Sequence, residues 1–321
     1  MLRKKIHKDK YPLLVAITFF IYICATAFVF IFSSKVGAVM ENNGKTLDSL
    51  PGVTTLDLQK DFTTVEMNNE NIYTGPLVLV SNHYECKFDG DNLVSVLEES
   101  SQKYKVSDFE VKVNKSIMGS LNDMLSDFYD ITGNRNTLVC SAYRSKSLQE
   151  ELYAEDKEEK GEEYQGDEMV AVPGYSEHQT GYAVDFSILD NDGNMYEFDN
   201  EGDYKWILDN CANYGFILRY PEDKVSLTEI GYETWHYRYV GLPHSLYIMQ
   251  NNLCLEEYTT LVKEHPVSNP LYVTDMSLVN WMIYYVPAES GNTTSLQVPT
   301  VKNYQVFGNN VDGFVVSVKM N

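Results

Sequence analysis

Ser176-Glu177-His178-Gln179-Thr180-Gly181-Tyr182-Ala183-Val184-Asp185 is answered downstream by Glu233-Thr234-Trp235-His236-Tyr237-Arg238-Tyr239-Val240-Gly241. Beyond Gly181 the first stretch alternates. Val184, Phe186 and Ile188 fall on one face of a predicted strand, and Ala183, Asp185 and Ser187 on the other. The second stretch sets Trp235, Tyr237 and Tyr239 against His236, Arg238 and Val240. Two strands of this kind, each with a greasy face and a chemistry-bearing face, argue for a sheet with a site on one side. His236 and Arg238 are expected to look into one cleft, and the three aromatic residues opposite them to lie in the core. His178 sits just before the first strand, after the Pro173-Gly174 turn, and Gly181 permits close backbone approach.

Around this centre the texture is mixed. Pro76–Val80 reads as a short strand. Ile117, Leu121, Met124, Leu125 and Phe128 fall at helical spacing before a stop at Gly133. Thr137–Cys140 reads as a buried strand that delivers Ser141-Ala142-Tyr143-Arg144-Ser145, followed by a helix carrying Leu148, Leu152 and Tyr153. Residues 155–168, acidic with two glycines, read as an exposed loop. Asp203–Tyr214 is expected as a helix closed by Gly215, Phe216–Leu218 as a strand, and Pro243 to about Val262 as one helix. The tail from 270 is rich in Val, Tyr and Thr with Gly and Asn turns, so short strands are expected there. Strands and helices without regular βαβ alternation give an α+β class.

Arg3, Lys4, Lys5, Lys8 and Lys10 precede an uncharged apolar run from Tyr11 to Phe32, long enough to cross a bilayer. The basic flank places the N-terminus in the cytoplasm and the rest of the chain outside. A cleaved signal peptide ending at Val36-Gly37-Ala38 would instead give a secreted protein. The run exceeds the usual h-region of about 7–15 residues, which favours the uncleaved anchor. The expected organisation is an anchor over 1–35, a polar linker over 36–70, a catalytic domain over 71–265 and a β-rich extension over 266–321. The 321 residues carry a net charge of −21. Nothing basic clusters outside the N-terminus, which excludes a nucleic-acid partner. Cys86, Cys140, Cys211 and Cys254 match no zinc-thiolate spacing, and both disulfides and buried free thiols fit them.

Two imidazoles and one carboxylate close three corners of a zinc tetrahedron and leave the fourth for water. His178, Asp185 and His236 are therefore the expected metal ligands. Calcium and magnesium prefer all-oxygen shells, and iron in a facial triad is the main competitor. Glu233, three residues before His236, can manage protons on a metal-bound water. Arg144 can grip an oxyanion or a substrate carboxylate with its bidentate fork. Glu177 competes with Glu233 as base, but adjoins a ligand and is expected to point away. A single histidine beside a glycine is ordinarily structural, and His83, His244 and His265 are read that way. The joint pattern is what lifts the ligand set above that baseline.

At these residues the chain resembles the VanY-related D-alanyl-D-alanine carboxypeptidases, within the LAS zinc peptidases of family M15. Their S-x-H-x-x-G-x-A-x-D and E-x-W-H-x-R-Y-V-G signatures stand here complete, as Ser176–Asp185 and Glu233–Gly241. The S-x-Y-R-S element with its following Gln appears as Ser141–Ser145 and Gln149. The resemblance covers about 72–265 and implies a hedgehog/DD-peptidase-like fold around an antiparallel sheet. It implies zinc on His178, Asp185 and His236, Glu233 as catalytic base and acid, and Arg144 as a transition-state or substrate contact. Ser176 and Gln149 are implied in substrate binding, and Arg238 is expected to join them from its place beside His236. Ala142, where glycine is frequent, and the acidic segment 155–168 depart from the pattern. The implied activity removes the terminal D-Ala of peptidoglycan stem peptides outside the cell membrane. An L,D-carboxypeptidase, a peptidoglycan endopeptidase or a non-catalytic wall-binding module would use the same scaffold. No sequence feature names a protein partner.

Overall fold

A computed structural model of the chain describes residues 56–160, 171–301 and 303–321. The expected membrane run and most of the linker lie outside the described residues. Among the described residues no helix is long and apolar enough to cross a membrane. In chain order, β1 (Phe62–Asn68), β2 (Leu93–Ser95), β3 (Lys105–Val106) and β4 (Lys112–Asn114) precede helix α1 (Lys115–Thr132). Next come β5 (Thr137–Ser141), α2 (Lys146–Lys160), β6 (Ala183–Leu189) and β7 (Met195–Glu197). Helix α3 (Lys205–Asn210), β8 (Phe216–Leu218), β9 (His236–Tyr239), α4 (His244–Gln250) and α5 (Leu255–Val262) complete the central part. The tail holds β10 (Leu271–Thr274), β11 (Asn280–Pro287), β12 (Thr293–Pro299), β13 (Tyr304–Gly308) and β14 (Gly313–Lys319). The architecture is mixed α+β, as expected.

The central sheet runs β3-β5-β6-β9-β8, with β7 added to β6, and is antiparallel except for the β3–β5 pair. Helix α1 covers one face. The Asn114 side chain caps its first turn by accepting from the Ser116 amide, and Gly133 ends it in the left-handed conformation. Ile117, Leu121, Met124, Leu125 and Phe128 of α1 pack on Val184, Phe186, Phe198 and Tyr237 in one core. The alternation read in β6 and β9 thus holds: the greasy face meets α1, and the other face is free for the site.

The C-terminal strands form a second antiparallel sheet, β10-β11-β14-β13. It is not a separate appendage. Ile283, Tyr285 and Val315 share a core with Ile217, Val240, Ile248, Leu255 and Tyr258 of the central part.

Several sequence expectations need correction. The linker over 36–70 ends early, because Phe62–Asn68 is β1, paired antiparallel with β12. Pro76–Val80 is buried but belongs to no sheet. Its carbonyls go to side chains instead: Pro76 and Val78 accept from Arg238, and Leu79 from Asn310. The acidic segment begins as helix, since α2 continues to Lys160. Residues 161–168 lie outside the described residues. The single helix over 243–262 is two, α4 and α5, broken at the 251–254 turn. The 203–214 helix is α3 flanked by short 3-10 turns, closed as expected by Gly215. All four described cysteines are free thiols.

Candidate metal centre and active site

Strand register assembles the site. In the ladders Ser141 pairs with Asp185, and Asp185 pairs with His236. Three adjacent strands therefore present the start of the Arg144 loop, Asp185 and His236 in one row. His178 comes from a 3-10 turn, Glu177–Thr180, stopped by Gly181 at φ +75°. A Cβ on Gly181 would lie 3.2 Å from the Asn114 amide nitrogen, so backbone crowding and positive φ both call for glycine there.

The His178 Nδ1 lies 2.5 Å from the Ala142 carbonyl, which can only accept. Nδ1 therefore carries the proton and Nε2 is bare, the form a metal ligand needs. Nε2 sits 3.1 Å from Asp185 Oδ2. His236 Nδ1 sits 3.0 Å from Asp185 Oδ1. Asp185 Oδ1 nevertheless has no partner in hydrogen-bond geometry, although it is buried. The three ligand atoms lie within 4.8 Å of one another. Bonds of about 2.0–2.1 Å to a tetrahedral zinc put neighbouring ligands about 3.3 Å apart. The observed 3.0–3.1 Å edges are close to that, and one carboxylate facing an imidazole with each oxygen, its buried Oδ1 without a hydrogen bond, fits a cation between the three side chains. The donor set and its spacing thus fit zinc.

Protonation follows from the surroundings. Burial pushes His178 below its usual pKa, towards the neutral form. Burial opposes charge on His236 too, but the Asp185 and Glu177 carboxylates outweigh it and raise its pKa to about 9. Burial alone would raise Asp185, yet the two imidazoles hold it well below the carboxylate range. Glu233 lies 3.7 Å from His236 Nδ1. Burial raises its carboxyl to about 7, against the pull of His236 and with a further push from Asp185 and Glu177. A carboxyl poised near neutrality beside a cluster that can hold a metal is suited to passing protons.

These groups border a cavity of about 240 Å³, together with Arg144, Ser176, Tyr220, Ile230 and Trp235. Ser176 and Arg144 are where the motifs place them. Trp235, expected in the core, packs partly against it and also lines the cavity. Gln149 does not reach it: its amide oxygen accepts from Arg144 Nη1 at 2.8 Å and its nitrogen donates to the Ala171 carbonyl at 2.7 Å. It holds Arg144 in place and is not placed to bind substrate. Arg238 is the larger correction. It shares a strand face with His236 but is wholly buried behind the site. Its guanidinium reaches Glu177 Oε1 at 2.7 Å and the Pro76 and Val78 carbonyls.

Glu177 does lie away from the metal position, but not in solvent. Its Oε2 lies 3.5 Å from His236 Nε2, on the opposite side of that ring from Nδ1 and Asp185. Its Oε1 accepts from Arg219 Nε at 2.7 Å and forms an ion pair with Arg238 Nη1 at 2.7 Å. Arg219, unremarked in the sequence, is fully buried and makes a bidentate pair with Glu256 on α5. The two arginines hold the Glu177 carboxyl well below its usual range against the cost of burial. Oriented carboxylates of this kind fix the tautomer and direction of a ligating histidine.

A family model for VanY, D-alanyl-D-alanine carboxypeptidase, matches residues 110–242. A D-alanyl-D-alanine carboxypeptidase of Enterococcus faecium is 35% identical over 258 residues, 78% of each chain. The chain belongs to the VanY-like carboxypeptidases of peptidase family M15. Another relative is the bifunctional D-Ala-D-Ala dipeptidase and D-Ala-D-Ala carboxypeptidase VanXYC of Enterococcus gallinarum. It is 44% identical over 123 residues, 37% of this chain and 64% of that one. The chain is also similar to a solved structure, the vancomycin-resistance D,D-dipeptidase VanXYg in complex with a D-Ala-D-Ala phosphinate analogue. That structure superposes with a TM-score of 0.71 at 31% identity, over 80% of this chain and 99% of that one. The match covers more of the chain than 71–265, so the shared architecture of this VanY-like protein extends beyond the catalytic core.

Proposed function

We propose that the protein is a zinc-dependent D,D-carboxypeptidase that removes the terminal D-Ala from peptidoglycan stem peptides. The observation that carries this is the convergence of His178 Nε2, Asp185 and His236 Nδ1 with the free carboxyl of Glu233 in one small cavity. His178, Asp185 and His236 would hold the metal, which when bound supplies an acidified water and a Lewis acid for the peptide carbonyl. Glu233 accepts the proton of the attacking water and returns it to the departing D-Ala amine. The Arg144 guanidinium, steadied by Gln149, faces the developing oxyanion or the substrate's terminal carboxylate. Trp235 and Ile230 furnish apolar walls that exclude bulk water. At about 240 Å³ the cavity is smaller than the usual ligand site of about 300–1,000 Å³, which suits an end built of two alanines.

The apolar run from Tyr11 to Phe32 with its basic flank supports a single-pass anchor with the catalytic domain outside the membrane, where the wall substrate lies. The Glu233→Gln variant tests the mechanism. It is expected to bind one zinc with unchanged stoichiometry and to lose about 10²–10⁴-fold in turnover of a D-Ala-D-Ala-terminated pentapeptide. A variant that turns over at the wild-type rate would remove Glu233 from the reaction.

A further inference from the structure

A second cavity, of about 350 Å³, lies in the seam between the central part and the C-terminal sheet, and the hydrolytic site does not use it. Tyr214 and Tyr239 line it from one side, and Trp281 and Phe307 from the other. Tyr239 projects from β9 on the face opposite His236, so this cavity and the His178, Asp185 and His236 cluster lie on different faces of that strand. The rings are held in place before any ligand arrives. The Tyr214 hydroxyl donates to Asp127 at 2.6 Å, and the Trp281 indole N–H donates to Asp275 at 3.0 Å. The Tyr239 ring stacks edge-on against Phe216. It also presses on Gly215, where a Cβ would lie 2.6 Å from the ring. Between the rings stand polar groups of the opposite character. The Asp123 carboxylate and the Asn213 side-chain amide line the cavity with no hydrogen-bond partner among the described residues.

Fixed aromatic faces beside unengaged amide and carboxylate groups suit a ring with apolar C–H faces and a rim of hydroxyl and amide groups. The cavity volume is within the range of small-ligand sites. A cationic ligand is less well served, because the carboxylate here, Asp123, is solvent-exposed. We propose that this seam binds an N-acetylated amino-sugar unit of a glycan strand and so docks the enzyme on the polymer that bears its peptide substrate. The choice of an amino sugar rests on the proposed peptidoglycan substrate. Docking at a second point would raise the effective concentration of stem peptides near the hydrolytic site without touching its chemistry.

The test is calorimetric titration of the full chain with tetra-N-acetylchitotetraose, alongside D-Ala release from a free pentapeptide. Saturable binding is expected. It should weaken about tenfold in Trp281→Ala and severalfold in Asn213→Ala, while both variants cleave the free pentapeptide at the wild-type rate. Trp281→Phe, which keeps a stacking ring, is expected to retain most of the binding and covers the case in which Trp281→Ala does not fold. No saturable binding to the folded wild type, or undiminished binding in Asn213→Ala and Trp281→Ala, would overturn the proposal. Because β13 is a sheet edge, a peptide is the competing occupant. Trp281-dependent binding of the pentapeptide without binding of the sugar would replace the proposal with that one. Sugar binding by a protein that releases no D-Ala would uphold the seam site and sink the proposed peptidase function alone.

Discussion

Glu177 stands next to one proposed ligand in sequence and behind another in space. Its carboxylate binds two buried guanidiniums and faces His236 Nε2, so its removal strands charge as well as freeing a ligand. Glu177→Gln keeps the shape and is expected to lower zinc affinity about 10–100-fold. Glu177→Ala is expected to cost about 3–5 kcal/mol of stability, because Arg219 and Arg238 lose a buried partner. Metal titration and thermal unfolding read the two effects, and wild-type values in both would refute the role. Glu233 makes a prediction of its own in the metal-free protein. Its carboxyl is raised from 4.5 to about 7, so the protonated form is favoured in the fold. The associated stability is complete below pH about 4.5 and is lost as pH rises through about 7, by roughly 3 kcal/mol. Glu233→Gln has no charge to bury. Its unfolding midpoint should exceed the wild type's at pH 8 in chelator, and the gap should close below pH 4.5. A gap that does not change with pH would contradict the burial argument. The convergence of His178, Asp185, His236, Glu233 and Arg144 on one cavity was legible because these residue types stand in two short joint motifs and at the end of a buried strand. Arg219 was not, because an arginine after Phe216-Ile217-Leu218 reads as a strand end reaching solvent. Only Glu177 and Glu256, distant in sequence, reveal that it is enclosed.

At the scale of elements, local pattern and distant pairing part company. Helix α1 and strands β5, β6, β8 and β9 follow from periodicity and a glycine stop, all short-range signals. Strand β1 does not, because its partner is β12, more than two hundred residues away. Read alone, Phe62–Asn68 is polar enough to pass for linker. Pro76–Val80 erred the other way. Its apolar run is buried as a strand would be, but Arg238 and Asn310 side chains take carbonyls that a ladder would otherwise engage. Helices α4 and α5 read as one because the 251–254 break holds no proline or glycine. Deleting the chain up to residue 70 should expose the β12 edge and the ring of apolar groups around Leu296 and Val298. The midpoint of thermal unfolding is expected to fall by more than about 5 °C, since each lost kcal/mol moves it about 2–4 °C at this size. An unchanged midpoint would restore the linker reading.

For the whole molecule, the sheet's two faces divide the labour. One buries Val184, Phe186 and Tyr237 against α1, and the other carries Asp185 and His236 to the cavity. The C-terminal sheet shares core residues with α5 and β8, so it braces the element that supplies Glu256 to the buried ion network behind His236. That coupling was invisible in a tail read only as short strands, since a shared core is a property of packing and not of local alternation. The decisive measurement is the mass of the products when the zinc-loaded full chain meets a stem pentapeptide ending in D-Ala-D-Ala and, separately, the tetrapeptide. Loss of one D-Ala from the pentapeptide, with the tetrapeptide untouched, is the expected result. Cleavage of the tetrapeptide alone, or of neither by protein that holds zinc, would contradict a D,D-carboxypeptidase.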